Sequence, residues 1–321
     1  MIRRAFISLA VFTMTAAPCA GAQQSLTAEQ RQVVIDSIAS SLNRMYVFPD
    51  VAARMEADLR ARVTRGEFNE LSDASSFAQL LTQDLQAISH DKHLRVRVRA
   101  SDPASGPAGS SGEHSGIFGR TERMAGDVAY VEILSFAGPP AAVREETTRI
   151  MSAAADAKAL IIDLRANNGG SPFVVALVSS YLFGAEPVHL NSLYFRPANR
   201  TDDFFTDPLV PGRKFGPDKP VYVLTSSRTF SGAEEFTYNL QTRKRATIVG
   251  ETTGGGANPG RGVLLPYSLT VFVPTGRAIN PITKTNWEGV GVKPDVAVHA
   301  ADALDVAHRL AIEAVKASAT K

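Results

Sequence analysis

Cysteine is nearly absent: the 321 residues contain one, Cys19. It falls in an N-terminal stretch that reads as an export signal. Arg3 and Arg4 supply a basic start, Ala5 to Ala17 a short apolar run, and Ala20-Gly21-Ala22 an A-x-A processing site before Gln23. Pro18, standing where a small residue would precede a lipid-bearing cysteine, argues against an anchor at Cys19. Processing after Ala22 leaves no thiol, which excludes a disulfide framework, a thiol nucleophile and a thiolate metal site. Long apolar runs are missing as well. The run in the signal is too short for a stable span, and no other segment is long and apolar enough to cross a bilayer. An excess of one charge is also missing. The 34 basic and 32 acidic residues leave a formal net charge of +2, which argues against a nucleic-acid partner held by phosphate neutralisation. No G-x-G-x-x-G is present, and no glycine loop is followed by a phosphate-binding lysine and Ser/Thr, so nucleotide binding has no support. The expectation is an exported protein, periplasmic or secreted, without a stable membrane anchor; composition does not set its oligomeric state.

What is present is a chain able to bury a core, with 44% hydrophobic and 21% charged residues. From Leu26 to about Ile88 the apolar spacing is helical. Thr27 to Gln30 spells a capping box, Pro49 suits the first turn of a second helix, and a third follows Ser72-Asp73. Three such helices make a small bundle over residues 23–92. Leu94 to Arg99 alternates valine with arginine like a half-exposed strand, and Ala100 to Gly116 is rich in Ser, Gly, Pro and Ala, so 93–116 reads as a strand and a flexible linker. From residue 117 to 321 strands alternate with helices, which predicts a largely parallel sheet layered with helices. The strands are Val128–Leu134, Ala159–Leu164, Val221–Leu224 and Ala246–Gly250, with a strand or hairpin over Val263–Pro274. Pro187 to Lys219 reads as irregular.

The chain is organised around Val221 to Asn239. An apolar strand breaks at Thr225-Ser226-Ser227-Arg228, and a helical pattern resumes at Ser231. A serine at such a seam is a candidate nucleophile, because unpaired N–H groups and the helix dipole favour an oxyanion there. The same Ser231-Gly232-Ala233-Glu234 is also a capping box. A second loop, Asn167-Asn168-Gly169-Gly170, follows another apolar strand, at the sheet edge where ligands of α/β folds bind. Of six histidines, His90 and His93 sit together at a helix-to-strand junction. Either could serve as a base if the fold brings it to Ser231. Neither has an obvious set of further metal ligands, so no metal or cofactor is expected. Late in the chain Glu288 stands between the only tryptophan, Trp287, and Gly289. An acid in that setting suits the orienting of a base.

Four of these stretches, taken in order, resemble the C-terminal-processing, or tail-specific, serine peptidases. Asp163-Leu164-Arg165-Ala166-Asn167-Asn168-Gly169-Gly170 is similar to their D-L-R-x-N-x-G-G signature, and Thr229 to Glu235 to the segment that carries their nucleophile. Gly250 to Gly256 resembles the loop that follows, and Asn286 to Asp295 the closing G-V-x-P-D block. The N-terminal part and Asp91-Lys92-His93 resemble the branch that contains interphotoreceptor retinoid-binding protein and the tricorn protease core. The resemblance implies a crotonase/Clp-peptidase-like β/α core preceded by a small helical bundle domain. It implies Ser231 as nucleophile, His93 as base and Glu288 as the group that holds it. Gly232 with Gly169 or Gly170 would form the oxyanion hole. No lysine lies between Lys244 and Lys284, where the Ser–Lys branch keeps its base. The substrate would be a peptide or protein, taken near its C-terminus. A different class is also open: the retinoid-binding relatives imply that this fold can serve as a carrier for apolar ligands, with Ser231 only a cap. A metal hydrolase would instead lose activity with a chelator.

Overall fold

The computed structural model describes residues 25–99 and 116–319. The export signal, Cys19 and most of the 100–116 segment, with His114, lie outside the described residues.

Three helices come first: α1 (Ala28–Met45), α2 (Pro49–Thr64) and α3 (Ala74–Ser89). Each starts where its local chemistry says it should. Thr27 and Gln30 exchange side-chain and backbone hydrogen bonds in a capping box, Pro49 occupies the first turn of α2, and Asp73 accepts from the Ser76 N–H at 2.8 Å. The α3 helix stops at His90, whose left-handed φ of 56° turns the chain. The bundle core does not close on itself. Val34, Ile38, Leu42, Phe77, Leu81 and their neighbours pack on Val96, Leu265, Leu269, Val271 and Val273. Those residues belong to a three-stranded antiparallel sheet of order β1 (Arg95–Val98), β10 (Leu269–Pro274), β9 (Gly260–Leu264). Two of its strands come from the C-terminal half of the chain, so the helices and the β/α core share a wall.

The main sheet has six strands in the order β12 (Val296–Ala297), β8 (Thr247–Gly250), β7 (Val221–Thr225), β4 (Ala159–Asp163), β3 (Val128–Ile133), β2 (Phe118–Met124). All pairings are parallel except β2 with β3. Alternate residues serve opposite faces. Leu160, Ile162 and Val223 enter one core with α4 (Pro140–Ala154), α5 (Pro172–Ser180) and α6 (Gly232–Thr242). Ala159, Ile161 and Leu224 enter another, against Ala303, Ala307 and Ala311 of α7 (Ala303–Ala319). Helices on both faces require continuous apolar strands, which is why β4 and β7 are buried throughout. Among the described residues no helix is long and apolar enough to cross a membrane.

One expectation is corrected. Pro187–Lys219 is not irregular throughout: it contains a hairpin, β5 (His189–Phe195) and β6 (Arg200–Phe205), joined at a turn that contains Pro197 and ends at Asn199 with φ 44°. With β11 (Gly276–Ile279) it forms a third sheet of order β11-β5-β6. The prolines lie in the turn and outside the strands, so they interrupt no ladder.

Glu235 of α6 is buried, and its Oε1 finds no partner among the described residues. Burial pushes this carboxyl from 4.5 to about 7. The folded state therefore holds the proton more tightly than the unfolded chain, and this group's contribution to stability falls as pH rises from about 4.5 to 7. Glu235→Gln should flatten that decline. Urea melts at pH 5 and pH 8 should show the variant gaining on the parent by on the order of 2–3 kcal/mol.

Candidate active site

Two loops at the C-terminal ends of β4 and β7 build the floor of the site. The Phe230 N–H donates to the Asn167 carbonyl at 3.1 Å, and the Thr229 hydroxyl to the Leu164 carbonyl at 2.8 Å. Asn167, wholly buried, donates its amide to the Ile133 carbonyl and accepts the Gly169 N–H at 2.7 Å. This Asx turn sets Gly169 and Gly170 at φ of 103° and 146°. At Gly170 a side chain has nowhere to go: a Cβ would stand 2.3 Å from the Phe136 carbonyl carbon.

Ser231 ends the β7 loop and precedes α6 with φ 56° and ψ −119°, a conformation that costs a non-glycine residue about 1–3 kcal/mol. The capping-box glutamate holds it there, since Glu234 accepts the Ser231 N–H at 2.9 Å. The turn carries the Ser231 hydroxyl to His93, with Oγ and Nε2 3.0 Å apart. The residues are 138 positions apart in sequence. Among the described residues the N–H groups of Gly170 and Gly232 have no acceptor, and Gly232 sits against the Gly170 backbone. Gly169 differs, because its N–H is already given to Asn167.

His93 is positioned by the chain reversal at His90. His90 itself is exposed at the helix end and is not drawn to Ser231. The His93 ring packs on Phe230 and Phe272, with centroids 4.6 and 5.9 Å away. Burial, reinforced by the Arg95 charge, pulls its pKa down to about 4, so the imidazole rests neutral. Among the described residues its buried Nδ1 finds no hydrogen-bond partner, and neither does Oε1 of Glu288. One polar side-chain atom from each of Asp91, His93 and Glu288 lies within 4.8 Å of the other two. Asp91 Oδ1 is 3.9 Å from Nδ1.

Residue type and spacing alone give Asp91 no role. It is 1% exposed and is served by three donors: the His93 N–H at 3.0 Å, the Asn258 amide at 2.9 Å and the Tyr46 hydroxyl at 3.4 Å. Glu288 accepts the Ala257 N–H on its other oxygen. Burial pushes both carboxyls up, and the charge of Asp91 pushes Glu288 further. The better-bonded Asp91 is the natural holder of the negative charge. The signal for Asp91 was its position two residues before His93, where an Asp side chain turns back on the backbone N–H. Residue spacing gives Glu234 a capping role. Its carboxylate also accepts the Gly255 and Gly256 N–H groups at 2.6 and 2.8 Å and the Thr253 hydroxyl, so it fastens the nucleophile turn to the glycine loop.

Comparison with known proteins agrees with this architecture. A putative peptidase from Parabacteroides merdae shares the fold with TM-score 0.63 and 19% identity, over 88% of this chain and 96% of that one. The photosystem II D1 C-terminal processing protease matches with TM-score 0.53 and 15% identity, over 84% and 93%. The tricorn protease matches with TM-score 0.61 and 13% identity, over 90% of this chain but 37% of that one. The family model described as Peptidase family S41 covers residues 127–298, more than half of the chain. The one described as the N-terminal domain of Peptidase_S41 in eukaryotic IRBP covers 23–124. The molecule is a serine-type peptidase acting on peptide or protein substrates. It belongs to peptidase family S41.

Gly170→Ala should cost about 2–5 kcal/mol through left-handed strain and the Phe136 clash, measured by denaturant melts. The displaced loop should also slow any reagent that reports Ser231 reactivity.

Proposed function

We propose that the protein is an exported endopeptidase that cleaves near substrate C-termini through Ser231, His93 and Glu288, with Asp91 as a second carboxylate beside the histidine. The observation that carries this reading is the 3.0 Å contact between Ser231 Oγ and His93 Nε2. Ser231 Oγ attacks the scissile carbonyl carbon while its proton passes to Nε2. This requires neutral His93 with its proton on Nδ1, the nitrogen 3.9 Å from Asp91 Oδ1. The negative charge of this carboxyl pair, held by Asp91, selects that tautomer and stabilises the imidazolium that follows. Catalytic hydrogen bonds that are long in a free enzyme tighten around substrate. The oxyanion lies between the N–H groups of Gly232 and Gly170, aided by the N-terminus of α6. The imidazolium then returns its proton to the leaving amine, and water repeats the cycle on the acyl-enzyme. Export rests on residues 1–22, and preference for C-terminal tails rests on the family.

A fluorophosphonate probe should label the purified protein at Ser231. Ser231→Ala and His93→Ala should both abolish labelling and lower kcat by at least about 10⁴-fold. Labelling lost only in Ser231→Ala would remove His93 from the mechanism, and no labelling of folded protein would favour the carrier of apolar ligands. The cluster of Asp91, His93 and Glu288 could also span a cation, so activity that survives a chelator supports proton transfer at His93.

The pH profile gives a further check. A base works in its neutral form, and burial holds His93 neutral down to about pH 4. The acid limb of kcat/KM should therefore lie below the ordinary histidine range. Asp91→Asn removes a negative neighbour, disfavours the imidazolium, and should lower kcat and move that limb further down.

A further inference from the structure

The sheet that joins the two halves of the molecule has an inner face packed on the helical bundle and an outer face turned to solvent. Along β1 the inward residues are Val96 and Val98, and the outward ones are Arg95 and Arg97, with Arg99 next in line. Cross-strand register sets Phe272 beside Arg95 and Thr270 beside Arg97, with Gly262 and Leu264 beyond them on β9. Leu264 is 71% exposed. This face abuts the catalytic centre. Phe272 packs on the His93 ring, and Arg95 is close enough for its charge to act on that imidazole.

The three arginines are treated unlike Arg60, Arg62 and Arg65 of the neighbouring bundle. There Arg60 pairs with Asp36 and Glu56, Arg62 with Asp58, Glu67 and Asp84, and Arg65 with Glu67. Among the described residues no carboxylate pairs with Arg95, Arg97 or Arg99. Burial and the neighbouring charge of Arg97 instead disfavour the charged form of Arg95. A row of like charges beside a peptidase site is repulsive until something negative arrives. Alternate residues of a strand repeat about every 6.6–6.8 Å, the same repeat as alternate side chains of an extended peptide.

We propose that this outer face is a substrate subsite for an extended peptide segment carrying Asp or Glu at alternate positions on one side of the scissile bond. The inference rests on the Ser231 and His93 reading for the location of that bond. Arg95, Arg97 and Arg99 pair with the acidic side chains, and Phe272 and Leu264 flank them across the strands on the same face. Exposed ion pairs of this kind are worth about two- to fivefold each and are screened by salt.

The test uses matched peptides around a mapped cleavage site, with Glu, Gln or Lys at alternate positions, placed N-terminal or C-terminal to the bond. The full chain should prefer the Glu peptide over the Gln peptide by about tenfold in kcat/KM on one side only, mostly through KM, and less in high salt. Arg97→Glu combined with Arg99→Glu should invert the order of the Glu and Lys peptides. Equal rates for the Glu and Gln peptides, or a ratio that the double reversal leaves unchanged, would overturn the subsite. Binding of the same peptides to Ser231→Ala, followed by fluorescence anisotropy, separates this inference from the one beneath it. Charge-selective binding that the double reversal abolishes supports the subsite even if fluorophosphonate fails to label Ser231. Binding without charge preference overturns the subsite even if labelling succeeds. A single-stranded oligonucleotide of equal charge is included as competitor, and tighter binding of it than of the Glu peptide would overturn the assignment to a peptide.

Discussion

The buried carboxylate of Glu234 is the tie on which the catalytic geometry depends. It accepts the N–H of Ser231, two N–H groups of the glycine loop and the Thr253 hydroxyl, and no part of it reaches solvent. Burial alone would drive the carboxyl toward its neutral form, and these donors are what favour its charge. Through it the strained serine turn and the glycine loop become one rigid piece. The closing block of the chain is bound to the same piece. Trp287 donates its indole N–H to the Gly256 carbonyl, Gly289 its N–H to the Gly255 carbonyl, and Val292 its N–H to the Thr253 hydroxyl. Glu288 thus reaches His93 because its neighbours are fastened to the loop that Glu234 holds.

The partner of the Ser231 hydroxyl comes from the N-terminal part of the chain. His93 is delivered by the left-handed turn that ends α3 and by the Asp91 side chain that closes back on its backbone. Asp91 is in turn held by Tyr46 from the bundle and Asn258 from the core. The shared wall of β1, β9 and β10 explains why this alignment is stable. Helices and core cannot move apart without breaking both the strand ladder and the apolar cluster behind it. The same wall turns its arginines outward, so the element that aligns the base also presents the charged face beside it.

Local patterns were legible where local chemistry decides the outcome. The capping box at Thr27, the proline at the start of α2, the buried strands β4 and β7 and the serine at a strand-to-helix seam all follow from residue type and spacing. Ser231 proved to be at once the helix-start residue and the histidine's partner, because Glu234 reaches back to its backbone while its hydroxyl faces His93. The hairpin of β5 and β6 is not legible in the sequence because the prolines around it suggest disruption, whereas they lie in its turn and outside its strands.

The amino-acid order by itself determined the helix and strand starts, the two glycine loops at the sheet edge, and the resemblance that singled out Ser231, His93 and Glu288. Those features depend on contacts a few residues apart. Only the tertiary structure decided that His93 and not His90 faces the serine. It also decided that Asp91 stands beside Glu288, that Gly170 and not Gly169 keeps a free N–H, and that Glu234 binds the glycine loop. Each of those outcomes joins residues far apart in the chain or depends on which backbone groups are already bonded, and no spacing rule encodes either.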